Sequence, residues 1–166
     1  MKISNTVEWA IHCCSLLAGL PEGKNLTGKE LAEFHDVPHP YLAKALQALS
    51  NDGILMTVSG PKGGYKLGRK PDKISLLDIV LSIEGEDSCF ECTEIRQQGP
   101  AALKQSSSYK APCLIASAMW RAEKVWRKEL DKIKLTHLTD RVVKEVDPRQ
   151  LKKAEAWVEK KINPKK

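Results

Sequence analysis

The stretch that most constrains this chain runs from Leu26 to Pro71. It holds two short helical patterns separated only by Asp36 to Pro38, with a glycine-rich reversal directly after the second. In "LTGKELAEFHDV", Thr27 stands three residues before Glu30. That spacing lets a hydroxyl and a carboxylate satisfy each other's free N–H groups at a helix start. Leu31, Ala32 and Phe34 supply the apolar side. In "PHPYLAKALQALSNDG", Pro38 and Pro40 open a helix, and Leu42, Ala45, Leu46 and Leu49 recur at helical spacing. Asn51, Asp52 and Gly53 end it. Ile54 to Val58 reads as a strand, Ser59 to Gly64 as a turn, and Tyr65 to Leu67 as the returning strand. Two close-set helices followed by a hairpin define a winged helix-turn-helix. The expected fold class is therefore mainly α with a small β-hairpin wing. "GPKGG" is not a nucleotide-cradling loop, because its spacing is wrong and no Lys–Ser or Lys–Thr pair follows it.

The flanking sequence extends this frame. "SNTVEWAIHCCSLLAGL" predicts a first helix, with Ser4 and Asn5 as capping candidates and Val7, Ala10, Ile11, Cys14, Leu17 and Ala18 on its apolar side. "SLLDIVLSIEGED" predicts a short fourth helix capped by Ser75 and Asp78. From Glu84 to Pro112 periodicity fades. "CLIASAMWRAEKVWRKELDKI" is a long helix whose apolar side carries Leu114, Ala118, Trp120, Val125, Trp126, Leu130 and Ile133. "THLTDRVVKEV" and "DPRQLKKAEAWVEKKI" follow, the latter as a short helix with Pro148 in its first turn. Four regions result: a winged unit at 1–72, a short helix and cysteine-bearing loop at 73–112, a long helix with its successor at 113–146, and a basic extension at 147–166.

A helix-turn-helix reads DNA by laying its second helix in the major groove. The outer face of that helix would present His39, Tyr41, Lys44 and Gln47. Gln47 suits an adenine edge, and Lys44 a phosphate or guanine. The wing would lay Ser59, Lys62, Gly63 and Gly64 against the backbone or minor groove, with Arg69 at its base. Charge is a weaker guide. The net charge is +6 over 166 residues, but residues 1–70 hold 8 basic against 6 acidic side chains, while residues 120–166 hold 15 against 8. Pattern carries the DNA reading. No catalytic constellation stands out, so no enzyme activity is expected. No apolar run is long enough to span a bilayer, Glu8 interrupts the first apolar stretch, and no export signal is visible. The five cysteines form an odd set, which argues against a disulfide framework and for a cytoplasmic location.

Cys89 and Cys92 form a "CFEC" pair, and Cys113 stands just before the long helix. Thiolates at this spacing can grip an iron or zinc ion. A metal would also help to order an otherwise irregular stretch. A further ligand is needed. Glu8 and His12, four residues apart, share one face of the first helix and are polar in an apolar context. A thiol redox pair, or inert cysteines, are the competing readings. Cys14 fits the core stripe.

The whole arrangement resembles the Rrf2 family of bacterial regulators over roughly residues 1–144. The resemblance is carried by "MKISNTVEWAIH", "LTGKELAEFHDVPHPYLAKALQALSNDGIL", "SGPKGGYKLGRKPDKISLLDIVLSIEG" and "CLIASAMWRAEKVWRKELDKIKLTHLTD". It implies a homodimer built on the long helix, about Leu114 to Lys134, and binding to an imperfectly palindromic DNA operator, typically as a repressor. It also implies an iron–sulfur cluster sensing redox state, nitric oxide or iron–sulfur status. The ligands would come from Cys89, Cys92, Cys113, Glu8 and His12, the first-helix ligand reaching across from the other subunit in some members. Glu8 and His12 together are similar to the pair used by a redox-responsive member with a 2Fe–2S cluster; a 4Fe–4S cluster on Cys89, Cys92, Cys113 and either Glu8 or His12 is the other option. The sequence departs from the commonest cysteine spacing, and Ala116 stands where one member has a histidine ligand. Two alternatives stand beside this expectation: a cluster-free regulator responding through thiols or a small ligand, and a zinc-stabilised adaptor that binds protein rather than DNA.

Overall fold

The computed structural model describes residues 3–60, 63–103 and 109–163. The elements are α1 (Asn5–Ala18), α2 (Gly28–His35), α3 (His39–Asn51), β1 (Leu55–Val58), β2 (Gly64–Leu67), α4 (Leu76–Glu84), α5 (Leu114–Lys132), α6 (Leu135–Glu145) and α7 (Pro148–Ile162). Single 3-10 turns lie at Pro71–Lys73 and Ile95–Gln97.

The local chemistry of the helix starts is as expected. Thr27 accepts from the Glu30 N–H at 3.1 Å while the Glu30 carboxylate accepts from the Thr27 N–H at 2.8 Å. Ser75 and Asp78 form the same reciprocal pair. The turn between α2 and α3 depends on Asp36, which adopts a left-handed conformation (φ 51°, ψ 49°) and lets the Val37 N–H reach the Ala32 carbonyl. Ser4 departs from expectation. It occupies the N-cap of α1 but its hydroxyl makes no cap bond; it donates to the Glu84 carboxylate at 2.6 Å, because the end of α4 lies beside it.

The core lies where α1, α3 and α4 meet, and includes Leu17, Leu31, Leu42, Leu46, Leu49 and Ile79. Cys13 and Cys14 are both buried in it; the periodicity had pointed to Cys14 alone. Ile54, expected at the head of the first strand, is buried just outside it. The antiparallel wing pairs Leu55 with Leu67 and Val58 with Gly64. A third short strand position at Leu26 bonds Tyr65 in both directions, at 3.1 and 2.7 Å. That bond ties the root of the wing to the approach of α2.

Helix α5 ends at Lys132, two residues before the expected limit, because the next residues leave the helix to pair with the α4 cap. The Leu76 N–H reaches the Ile133 carbonyl at 2.9 Å, and the Leu135 N–H reaches Ile74 at 2.8 Å. The C-terminal end of the long helix is thereby stitched to the start of α4. One side of the helix is bare. Leu114, Ile115, Met119 and Val125 are 85%, 65%, 45% and 65% exposed, and their spacing sets them on one side of the helix. Helix α7 folds back onto the winged unit: Trp157 packs on Phe34 with ring centroids 5.0 Å apart, Lys161 pairs with Glu33 at 2.8 Å, and the Lys24 ammonium donates to Asn163 Oδ1 at 2.9 Å. No described helix is long and apolar enough to cross a membrane.

Candidate DNA-reading face and sensor loop

Helix α3 presents Tyr41, Lys44 and Gln47 to solvent, with Tyr41 63% exposed. The Gln47 amide donates to Asn51 Oδ1 at 2.9 Å, which pre-orients it along the helix. Tyr41 and Lys44 border a shallow groove whose other wall is Ser4, Thr6 and Ile83. His39 stands apart from them. It is half-buried, and its Nε2 would lie 3.2 Å from a Cβ placed at Gly28, so its ring leans back over the start of α2. In the wing, Ser59 is exposed, and Arg69 lies 3.9 Å from Asp78. Gly63 and Gly64 have a folding role in addition to any in binding: a Cβ would overlap the Val58 carbonyl oxygen at Gly63 and the Leu26 carbonyl oxygen at Gly64. Lys62 lies outside the described residues.

The cysteines separate into three environments. Cys13 and Cys14 are core thiols; burial pushes Cys13 up to about 12 and raises Cys14 as well, with Cys13 adding to the effect. Cys89 is exposed. Cys113 is the buried N-cap of α5, and the half-buried Cys92 lies beside its thiol. Hydrogen bonds from the Ala116 and then the Ile115 N–H outweigh burial and hold the Cys113 thiol below its ordinary value; Cys92 and the Arg96 charge add to this. Arg96 is itself fixed, by Glu94 at 2.6 Å and by the Ala111 carbonyl at 2.7 Å. Cys92 donates weakly to Glu94 at 3.9 Å. Helix start, cation and thiol pair together stabilise thiolate, the form that ligates metals and attacks oxidants.

Glu8 and His12 are both exposed on α1. They edge an open cavity of about 300 Å³ whose apolar wall includes Ile11, Leu76, Val80 and Leu130. The His12 ring lies 5.6 Å from that of His35. Burial, and then the His12 charge, push His35 down to about 4, and its Nε2 has no hydrogen-bond partner among the described residues. Among the described residues no three His, Cys, Asp or Glu side chains converge on one point. The structure brings Cys92 to Cys113, and leaves Cys89 outside that pair. It does not bring the pair to Glu8 and His12.

Sequence reasoning missed what holds the loop. Glu123 and Arg127 pair along α5 at 2.7 Å and together reach residues 86–89. Their four-residue spacing was visible, but nothing in the sequence links them to the loop.

The fold and its exposed second helix define a winged helix-turn-helix transcription regulator. Residues 3–141 match the model of the Rrf2 family, described as "Iron-dependent Transcriptional regulator", and the chain belongs to that family. A protein of Bacillus subtilis named as the HTH-type transcriptional regulator YwgB is 28% identical over 98% of this chain and 97% of its own length. One of Aquifex aeolicus, also named as an HTH-type regulator, is 39% identical over 48% of this chain and 55% of its own. Among solved structures, the oxidized form of Staphylococcus aureus CymR is similar at 26% identity, TM-score 0.61, covering 84% of this chain and 96% of that one. T. potens IscR has the same fold at 22% identity, TM-score 0.64, covering 92% and 96%.

Proposed function

We propose that this regulator is a homodimeric repressor whose operator binding is governed by an iron–sulfur cluster of the 2Fe–2S type. Cys92 and Cys113 of one protomer, with Glu8 and His12 of the other, would hold the cluster. The observation that carries this is the Cys92–Cys113 pair at the head of α5. Its chemistry fits the group: two soft thiol ligands, one already held toward thiolate, with a carboxylate and an imidazole making up the four positions such a cluster needs. The separation of the two half-sites within one protomer favours ligation across a dimer. The bare stripe of Leu114, Ile115, Met119 and Val125 on α5 supplies a surface for that dimer.

When bound, the group would supply one-electron redox sensitivity, and nitrogen and oxygen ligands would raise its potential above that of an all-thiolate centre. The chain does the rest. Cys113 is fixed at the head of the helix that bears the apolar stripe. Glu8 and His12 lie on a helix that packs on α3. A tie between the two pairs therefore fixes the separation of the two α3 helices, and with it the fit to two half-sites of DNA. Tyr41, Lys44 and Gln47 would meet base edges and phosphates, and Ser59, Gly63, Gly64 and Arg69 the flanking backbone.

The test is anaerobic iron, sulfide and absorbance analysis of wild type, C92A/C113A, E8A/H12A, and a mixed dimer of the two double variants. The mixed dimer is expected to recover about half of the wild-type cluster, because one complete site survives. Equal cluster content in E8A/H12A and wild type would sink the first-helix ligands. Binding to operator DNA should weaken steeply with salt. A second reading has its own support: one similar structure is CymR in an oxidized form, and the Cys92–Cys113 pair is suited to a thiol switch without a cluster. Iron-free, colourless protein whose DNA binding responds to oxidant would favour it.

A further inference from the structure

Residues 86–93 have no backbone-to-backbone hydrogen bond to any described residue. Their position is set instead by three side chains of α5. Trp120, Glu123 and Arg127 stand at positions i, i+3 and i+7 and so share one face of the helix. The Trp120 indole N–H donates to the Phe90 carbonyl at 3.1 Å. The Glu123 carboxylate, only 10% exposed, accepts from the Ser88 hydroxyl at 2.7 Å and from the Cys89 N–H at 3.0 Å. Arg127, 23% exposed, donates to the Glu86 and Asp87 carbonyls at 3.1 and 2.7 Å, and to Glu123 at 2.8 Å. Cys92 follows two residues after Phe90. On its far side Glu94 and Arg96 anchor the chain to Ala111. The half-buried thiol is thus slung between two polar anchors.

We infer that Glu123 and Arg127, with Trp120, are positioning residues that hold Cys92 against Cys113, making the sensing pair a property of α5 rather than of the loop sequence. The inference rests on the reading of Cys92 and Cys113 as the sensing pair. It assigns no ligand role to the three clamp residues. Ionised Glu123 and Arg127 form charge-assisted bonds to the loop, which are stronger than neutral ones and geometrically specific. Losing either frees residues 86–91 to swing and dilutes Cys92 at Cys113.

The test uses full-length, metal-free protein, reduced and then treated with diamide. The two thiols give up two protons and two electrons to form the Cys92–Cys113 disulfide, and the N=N bond of diamide takes them up to become its hydrazine. Disulfide yield with time is mapped by mass spectrometry, which separates this bond from any involving Cys89. E123A and R127A are expected to form it roughly tenfold more slowly than wild type. E123Q, which retains one acceptor oxygen for Ser88 and Cys89 but loses the pair with Arg127, should fall between. Melting temperature is measured alongside. Equal rates in wild type, E123A and R127A at equal melting temperature would overturn the clamp. So would a slowing that merely tracks lost stability across the three variants. Iron and sulfide in wild-type protein test the underlying reading separately. A cluster-bearing wild type with clamp variants as fast as wild type sinks the clamp alone; iron-free protein with clamp-dependent rates sinks the cluster alone.

Discussion

The winged unit and the cysteine loop are built on opposite principles. From α1 to β2, position is set by apolar packing: Leu31, Leu42, Leu46 and Leu49 are fully buried, and the polar groups at the helix starts are satisfied locally. From Glu84 to Cys113, the one buried side chain among the described residues is Cys113 itself. Here carboxylates, guanidinium groups and an indole N–H do the holding. A packed core answers to little short of unfolding, whereas a segment held by a few polar bonds can rearrange at low cost. On the function proposed above, the input would lie in the second kind of structure and the output in the first.

The contrast can be broken or sharpened by mutation. Leu46→Ala removes a fully buried side chain at the centre of the core and should cost about 2–5 kcal/mol in urea unfolding. A loss below about 1 kcal/mol would mean that the winged unit is not held as described. Gly64→Ala sets a methyl group on the Leu26 carbonyl and should cost about 1–3 kcal/mol, while nearby solvent-facing changes cost little. His35 gives a smaller, pH-dependent effect. Its pKa falls from 6.5 to about 4 in the folded chain, so the folded state binds fewer protons than the unfolded one across that range. Stability therefore declines as pH drops from 6.5 toward 4. For a half-buried ring the contribution is on the order of 1 kcal/mol after solvent screening. His35→Leu should flatten that part of the profile, and an unchanged slope would show that the ring is not burdened by burial. Smallest of all is Glu91→Ala, at an exposed point of the loop, expected within about 0.5 kcal/mol of wild type by the same unfolding assay. A large loss there would erase the distinction between the two regions.

Legibility followed the same divide. The capping pairs Thr27–Glu30 and Ser75–Asp78, the α3 stripe and the wing were readable because each rests on neighbours a few residues apart. Asp36 was placed in the turn, but its left-handed backbone is set by how α2 and α3 meet. The separation of the cysteines into core thiols, an exposed thiol and a helix-start pair depends on contacts between residues far apart in the chain. The pairing of Cys92 with Cys113 across the loop is one such contact, and Ser88 with Glu123 is another. His39 was read as facing DNA beside Tyr41; its lean toward Gly28 follows from how close α2 and α3 pack. The return of α7 was hidden for the same reason: its basic composition set it down as an extension, and its docking depends on Phe34 and Glu33, far away in the chain.

That return has a consequence for how the molecule is made. Phe34 and Glu33 leave the ribosome long before Trp157 and Lys161, so the winged unit can collapse while its last contacts are still unsynthesised. Docking of α7 can then come late, and the Trp157–Phe34 contact forms only in a chain whose synthesis has passed residue 157.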